Sequence, residues 1–160
     1  MEWTITEVPS GNPSAVAVVR EYLDEVASRY YRRPATPAEV DAVLAEEPAE
    51  DLVPPRGAFL LARCDEETVG CAGVRVVGPG CTELTKVYVR PAHRGHGGGR
   101  RLVGAAEAVA STRLGSVLMR LDTRHDLVEA RALYAATGYA EVEPFNDDRY
   151  AEHWFAKRLG

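Results

Sequence analysis

The sequence feature that most constrains this chain is the glycine-rich stretch at residues 87–102, which reads V-Y-V-R-P-A-H-R-G-H-G-G-G-R-R-L. Its first letters are typical of a strand end and its last letters of a helix start. Glycines without a Cβ let successive amide N–H groups converge on one anion, and the helix that follows directs its positive end to the same place. The stretch therefore predicts a backbone cradle for a phosphorylated ligand.

Two common phosphate-binding motifs do not fit these letters. A P-loop needs Lys and then Ser or Thr after its last glycine, where this chain has Arg100 and Arg101. A dinucleotide fingerprint G-x-G-x-x-G would run from Gly95 through Gly97 and would need a third glycine at Arg100. Its strand would also have to open a βαβ unit, whereas this one follows three predicted strands. Both motifs are weak explanations of the stretch.

The stretch instead resembles the acyl-CoA-binding core of the GNAT family of N-acetyltransferases. The family pattern [RQ]-x-x-G-x-[GA] is matched by Arg94, Gly97 and Gly99, after a strand end that contains Val89 and Pro91. The resemblance extends to the order of elements over nearly the whole chain. It implies a GNAT-like α/β fold, with a central mixed but mostly antiparallel sheet flanked by helices, and acetyl-CoA as co-substrate.

Apolar periodicity and turn residues predict the element order β α α β β β α β α β β in a single domain over residues 1–160. Strands are predicted at 3–8, 58–63, 68–77, 81–89, 117–122, 140–143 and 151–159. A first helix should start at Asn12-Pro13 or Ser14 and end near residue 29, and later helices should span 100–113 and 127–136. Thr36 and Glu39 have the spacing of a capping box and predict a short second helix.

Glu83 is the first candidate catalytic residue. Alternation along its strand predicts that it shares a face with Thr85, Val87 and Val89. In the resembled family a glutamate at this position often acts as general base, and a carboxylate can take the proton of an amine nucleophile directly or through water. The alternative is a strand carboxylate that is solvated or paired with Lys86 or with an arginine of another strand.

Tyr134 is the second candidate. It stands in A-R-A-L-Y-A-A-T-G-Y, which resembles the family segment A-x-x-L-Y-x-x-x-G-[FY]. The resemblance implies a phenol that faces the sulfur of CoA and protonates the departing thiolate. The alternative is a core aromatic, the role predicted for Tyr139. Many family members carry Asn seven residues before the tyrosine, where this chain has Leu127.

The acetyl-CoA contacts are predicted for the strand end and the bend. Arg100 and Arg101 lie in a first helical turn, where cations oppose the macrodipole and a bound anion would remove the conflict. Arg94 and Arg100 are predicted to contact the diphosphate, His96 to act through its backbone N–H, and Arg101 to reach solvent or the adenosine 3′-phosphate. The complete predicted set is Val87, Tyr88, Val89, Arg94, Gly95, His96, Gly97, Gly98, Gly99 and Arg100.

Composition narrows the function classes. A net charge of −5 and a pI near 5.4 argue against a nucleic-acid partner. The sequence contains no apolar run long enough to span a membrane, and its start lacks the pattern of a signal peptide. A cytoplasmic location is therefore expected. The three cysteines are expected to be buried thiols. His125 and His153 have no metal-ligand spacing, so no metal is expected.

The resemblance implies an N-acetyltransferase that moves an acetyl group from acetyl-CoA to a primary amine of a small molecule or peptide, directly in a ternary complex. A backbone N–H near Val89 would hold the thioester oxygen. Residues 29–33 and 146–150 are candidates to line the acceptor pocket. The alternatives are a non-catalytic acyl-CoA sensor and, less favoured, an RNA-binding protein. The sequence names no acceptor and leaves the oligomeric state open, a homodimer included.

Overall fold

In the computed structural model, which describes residues 2–160, seven strands form one sheet with helices on both faces. The strands are β1 (Trp3–Val8), β2 (Gly57–Cys64), β3 (Glu67–Gly78), β4 (Cys81–Val89), β5 (Leu118–Thr123), β6 (Ala140–Val142) and β7 (His153–Arg158). The helices are α1 (Pro13–Tyr31), α2 (Pro37–Glu46), α3 (Gly98–Thr112) and α4 (Val128–Ala136), and Pro91–His93 forms a short 3-10 turn. The predicted order of elements is confirmed, and most of their ends shift by one or two residues.

The sheet has the order β1-β2-β3-β4-β5-β7-β6 and is antiparallel except between β4 and β5. The parallel pairing joins Cys81 to Leu118, Thr82 to Met119 and Glu83 to Arg120, and it ends there. Both strands continue beyond this point without pairing to each other, so they separate and leave a gap in the sheet. The predicted mixed, mostly antiparallel sheet is confirmed.

Local sequence signals explain where the first helices begin. The Asn12 side chain caps α1 by accepting hydrogen bonds from the backbone N–H groups of Ser14 (2.9 Å) and Ala15 (3.3 Å). The predicted capping box of α2 is present: Thr36 Oγ1 accepts from the backbone N of Glu39, and Glu39 Oε1 accepts from the backbone N of Thr36. Each cap satisfies helix N–H groups that have no partner inside the helix.

Two apolar cores cover the two faces of the sheet. On one face, Leu84 and Met119 pack with Val103 and Ala106 of α3. On the opposite face, Tyr88 packs in a cluster with Leu23 of α1 and with α2. The side chain of a β4 residue therefore points either towards α3 or towards α1 and α2.

A β-bulge at Lys86 changes the alternation along β4. Between the pairs Gly73–Thr85 and Cys71–Tyr88, β4 has two residues where β3 has one, and Lys86 takes a φ of 55°. Val87 packs with the α3 core, as does Val89, whereas Glu83 bonds to Arg75 on the opposite face. The expectation that Val87 and Val89 share the face of Glu83 is wrong, because the extra residue inverts the pattern.

The cysteines follow their prediction in part. Cys64 and Cys71 are buried, whereas Cys81 is half-buried at the start of β4.

None of the helices formed within residues 2–160 combines the length and the apolar character that crossing a membrane requires.

Gly98 is required by packing at the start of α3. A Cβ on Gly98 would lie 2.0 Å from Cη2 of the buried Trp3 ring. We expect Gly98→Ala to lower the free energy of unfolding by about 1–3 kcal/mol, the usual cost of overpacking. Gly104→Ala, in the same helix with no atom within 4 Å of its Cβ, is the control and should be neutral or stabilising. Equal stability of the two variants in urea titrations would contradict this packing role.

Candidate active site

The gap between β4 and β5 opens into a cavity of about 520 Å³. Its walls are the second half of β4, the glycine bend, the end of β5, α1 and α4. The predicted site residues that line it are Glu83, Val87, Tyr88, Val89, Arg94, Gly95, Gly97, Gly98, Gly99, Arg100 and Tyr134. His96 is exposed and is not part of this lining. The fold thus brings the bend and both catalytic candidates to one cavity.

The bend has the backbone geometry that its glycines predict. Gly95 and Gly97 take φ values of 85° and 80°, a left-handed conformation that residues with a Cβ rarely adopt. No atom lies within 4 Å of a Cβ built on either glycine, so this space is open. Gly97 is the N-cap of α3 and has no side chain to satisfy the first N–H groups. These groups and the positive end of the helix are available to an anion.

The three arginines of the bend have different partners. Arg94 is held by Glu25, with Nη2 to oxygen distances of 2.8 and 2.9 Å, and its Nε donates to the carbonyl of Val89 at 2.7 Å. Arg101 donates to the carbonyl of Trp3 at 3.0 Å, which is neither of its predicted directions. The Arg100 side chain lines the cavity and takes part in none of the hydrogen bonds or ion pairs found among residues 2–160. Arg100 is therefore the cation of the bend that an anion can engage without breaking an existing pair.

Glu83 is buried between two strands that each supply an arginine. Its Oε1 accepts from Arg75 Nη2 of β3 at 2.7 Å, and its Oε2 lies 3.6 Å from Arg120 Nε of β5. Lys86, the other partner considered, donates instead to the backbone carbonyl of Glu47 at 3.0 Å. The structure pairs Glu83 with arginines of other strands, as the alternative interpretation expected.

Tyr134 is only 7% exposed, and it is one of the residues that line the cavity. Its ring makes an edge contact with Tyr139, whose hydroxyl donates to Glu107 at 2.8 Å. Burial, and then the negative charge of Asp122, raise the pKa of Tyr134 well above its ordinary value. Its phenol is therefore neutral over the physiological range. Tyr139 has the structural role predicted for it.

The lining also contains ionisable residues that were not predicted as site residues, among them Asp122 near the end of β5, Glu47 after α2 and Lys86 in the bulge. Burial raises the pKa of Asp122 and lowers the pKa of Lys86. The sequence holds a signal for Asp122 alone, as an acidic residue near the end of a strand that contains Leu118, Met119 and Leu121. Glu47 and Lys86 reach the cavity through tertiary contacts with no local pattern.

Leu127 also lines the cavity, at the position where the resemblance would imply asparagine. It occupies the N-cap of α4 and makes no side-chain hydrogen bond to the helix. The start of α4 therefore presents an apolar side chain to the ligand in place of an amide.

His125 and His153 are close in space although they are distant in sequence. Their rings are joined by a contact of 3.0 Å between Nδ1 and Nε2, and His153 Nδ1 lies 2.7 Å from Glu141 Oε2. Sequence spacing alone did not indicate this cluster. No group of three or more histidine, cysteine or acidic side chains within residues 2–160 is arranged to hold a metal ion.

Comparison with known proteins identifies the family. A model of the acetyltransferase (GNAT) family matches residues 20–139. The chain belongs to this family. It is also 38% identical over 131 residues to an uncharacterised N-acetyltransferase of Schizosaccharomyces pombe, an alignment that covers 80% of this chain and 76% of the relative. Membership of the family confirms the prediction of an acetyl-CoA-dependent acetyltransferase.

Solved structures of GNAT acetyltransferases have the same fold. A GNAT acetyltransferase from Staphylococcus aureus matches with a TM-score of 0.79 at 17% identity, over 99% of this chain and 100% of the other. The PaiA N-acetyltransferase of Thermoplasma acidophilum, solved in complex with coenzyme A, matches with a TM-score of 0.75 at 15% identity over the same shares. At these identities the likeness establishes the fold.

The half-buried position of Asp122 predicts a pH-dependent stability difference. Because its pKa is higher in the folded chain, the ionised carboxylate costs stability above that pKa, and this cost disappears as the pH falls below the unfolded value. Asp122→Asn should therefore raise the free energy of unfolding at pH 7, and the gain should shrink towards pH 4. Urea titrations at both pH values measure it, with the exposed Asp147→Asn as control. A gain for Asp122→Asn that does not depend on pH would contradict the assignment.

Proposed function

We propose that this GNAT protein transfers the acetyl group of acetyl-CoA to a primary amine of a small molecule or peptide, directly in a ternary complex. The observation that carries the proposal is the single cavity at the gap between β4 and β5. It contains the glycine bend with the N–H groups of the α3 start at one end and the carboxylates of Glu83 and Asp122 at the other. Donor and acceptor can enter from opposite sides of the sheet and meet at the gap, which is the arrangement that direct transfer needs.

The donor would bind along β4 and the bend. Beyond Glu83 the β5 side of β4 has no strand partner, so its backbone groups are available to an extended ligand such as the pantetheine chain. The diphosphate would lie against the N–H groups at the start of α3 and against Arg100. A backbone N–H near Val89 would hold the thioester oxygen as negative charge develops. Arg94 would have to leave Glu25 to take part.

Glu83 would accept the proton of the acceptor ammonium. The carboxylate keeps lone pairs that its two arginine contacts do not use, and a water can carry the proton across the remaining distance. The arginines would also hold the carboxylate in a fixed orientation.

Tyr134 would stabilise the departing thiolate of CoA. Its buried, neutral phenol can donate a hydrogen bond to the sulfur as charge builds up there. Complete proton transfer is uphill, because a thiol has a pKa of about 8.5 and the pKa of Tyr134 is raised above that of an ordinary phenol. The thiolate would then take its proton from solvent as it leaves. The lining drawn from residues 2–160 contains no cysteine or serine, which favours direct transfer over an acyl-enzyme.

Substitution of Gly99 tests the donor site. A Cβ on Gly99 would lie 3.1 Å from Leu133 Cδ2, and both residues line the cavity. Gly99→Val should weaken CoA binding at least about tenfold in calorimetry, because the new side chain takes ligand space. Gly104→Val, in the same helix with open space around its Cβ, controls for the effect of valine on the helix. Unchanged CoA affinity in a folded Gly99→Val protein would refute the cradle.

Substitution of Glu83 tests the base. Glu83→Gln keeps the shape but cannot accept a proton, so kcat should fall by roughly 10²-fold at neutral pH, the low end of a general-base contribution. The loss should shrink at higher pH, because free amine then becomes abundant without help. The measurement is thiol release from acetyl-CoA with the best amine of a panel. A loss that is the same at every pH would assign Glu83 a structural role.

Substitution of Tyr134 tests the thiolate donor. Tyr134→Phe should lower kcat by roughly tenfold or more, since one hydrogen bond to the developing charge is lost. The pH profile below 10 should keep its shape, because the raised pKa places the titration of Tyr134 above that range.

If the wild-type protein binds acetyl-CoA but acetylates no amine, the chain is an acyl-CoA sensor and the proposal fails.

A further inference from the structure

The arginine of β3 that binds Glu83 is itself held from its far side. Arg75 Nη2 donates to Glu83 Oε1 at 2.7 Å, and Arg75 Nη1 donates to Asp51 Oδ2 at 2.9 Å. The guanidinium of Arg75 thus lies between two carboxylates, and each of its terminal nitrogens binds one of them. Because charge-assisted hydrogen bonds of this kind are directional, Asp51 sets the orientation of Arg75 as well as Glu83 does.

The arginine of β5 is held by an aromatic ring. Arg120 Cζ lies 4.3 Å from the centroid of the Phe145 ring, where a guanidinium is attracted to the π face. Arg120 Nε lies 3.6 Å from Glu83 Oε2, which is an ion pair without a hydrogen bond. This nitrogen is buried and makes none of the hydrogen bonds found among residues 2–160. Arg75 therefore fixes the carboxylate more firmly than Arg120 does.

Asp51 belongs to the loop that joins α2 to β2, and this loop is anchored in the core. The next residue, Leu52, is 1% exposed and packs in the apolar cluster that contains Phe59. The backbone N of Leu52 also donates to the carbonyl of Ala49 at 3.1 Å. The side chain of Asp51 is exposed, but the position of its backbone is set by a buried neighbour.

Phe145 belongs to the loop between β6 and β7, and this loop is anchored on the sheet. The next residue, Asn146, donates from Nδ2 to Asp122 at 2.8 Å and accepts at Oδ1 from Trp154 Nε1 at 3.0 Å. Arg120 and Asp122 are two residues apart on β5, so their side chains point to the same face of the sheet. The segment 145–146 therefore lies over this face of β5 and is tied to β7.

Glu83 lines the cavity, whereas the residues that hold it lie outside the lining. The lining contains Glu83 but none of the four surrounding residues, which are Asp51, Arg75, Arg120 and Phe145. These four residues do not meet a ligand that is held in the cavity. An effect of theirs on a reaction in the cavity is therefore exerted through Glu83.

A glutamate that acts as a base needs support of this kind. Its carboxylate is separated from the backbone by several rotatable bonds, yet it must lie within hydrogen-bond reach of the proton that it takes. A misplacement of about 1 Å can cost roughly 10²-fold in rate. In this chain Arg75 engages Oε1 of Glu83, and Oε2 accepts none of the hydrogen bonds found among residues 2–160. Oε2 is thus the oxygen that is left for the acceptor.

We propose that Asp51 and Phe145 are positioning residues for Glu83. Asp51 directs the guanidinium of Arg75. Phe145 directs that of Arg120, and the two guanidinium groups hold the carboxylate with Oε2 free for the acceptor. The inference rests on the proposed role of Glu83 as the base, and it adds two residues from distant loops that control this base without touching the substrate.

Replacement of Asp51 tests the firmer side of this arrangement. Asp51→Asn keeps the shape but removes the charge that directs Arg75, so kcat should fall at least about threefold while the KM values of acetyl-CoA and of the amine change less than about twofold. Asp41→Asn is the matched control, because Asp41 binds Arg20 at 2.7 Å in an exposed ion pair outside the cavity lining. The control should keep the wild-type kcat. An unchanged kcat in Asp51→Asn, or a loss that appears mainly in KM, would overturn the role of Asp51.

Two replacements of Phe145 test the other side. Phe145→Leu keeps an apolar side chain but removes the ring over Arg120, and kcat should fall about two- to fivefold. Phe145→Tyr keeps the ring and should retain the wild-type kcat. The expected loss is smaller than for the Arg75 side, because Arg120 Nε makes no hydrogen bond to Glu83. Equal rates of the two Phe145 variants would overturn the role of the ring.

A double-variant cycle shows whether these residues act through Glu83. Arg75→Ala should lower kcat roughly tenfold, and Arg75→Lys should recover only part of the loss, because an ammonium lacks the fork that binds two carboxylates. In the Glu83→Gln background, Arg75→Ala and Asp51→Asn should cause no further loss, because positioning has no effect once the base is absent. A further loss of the same size as in the wild-type background would overturn the inference. Asp51→Asn carries this test if Arg75→Ala does not fold.

The same variants separate this inference from the proposed function. If Glu83→Gln keeps the wild-type kcat, or if the protein acetylates no amine, the proposed base fails and the positioning role fails with it. If Glu83→Gln loses roughly 10²-fold while Asp51→Asn and Arg75→Ala keep the wild-type kcat, the base stands and the positioning role alone is wrong. Urea titrations of each variant ensure that the rates compare folded proteins.

Discussion

The parallel pairing of β4 with β5, which ends after three residue pairs, is the constraint on which the site depends. A sheet that stayed paired to the end of both strands would satisfy its backbone internally and leave no room at its centre. Here the strands separate, and the gap exposes the backbone of β4 to the cavity. The separation is stabilised from both faces, because α3 packs on one side and α1 with α2 on the other.

The bulge at Lys86 determines which side chains of β4 lie on each face of the sheet beside the gap. By inverting the alternation of β4, it directs Val87 and Val89 to the α3 core, while Tyr88 faces α1. The ammonium of Lys86 then lies where α2 ends. The two ends of the cavity consequently differ in charge: the glycine bend is positive through Arg100 and the helix N–H groups, and the acceptor end carries carboxylates. A polyanionic donor and a cationic acceptor would each find the end that suits it.

Paired and unpaired charges distinguish the parts of the acceptor end. Glu83 is held by two arginines, whereas Asp122 is held by a neutral amide. A carboxylate fixed by two guanidinium groups is held in one orientation, whereas one bonded to a neutral amide has no direct cationic partner. The fold thus supplies carboxylates with different tasks within one cavity.

The sequence by itself determined the order of strands and helices, the helix caps at Asn12 and Thr36, and the glycine bend, because these follow from apolar periodicity, side-chain capping and backbone freedom within a few residues. It also indicated some of the residues of β4 and α4 that line the cavity, Glu83 and Tyr134 among them. Only the tertiary structure decided the face of Val87, the arginine partners of Glu83, the isolation of Arg100 and the convergence of Glu47, Lys86 and Asp122 on the cavity. These features depend on a bulge and on contacts between distant elements, and no local pattern of residues encodes which side chains such contacts bring together.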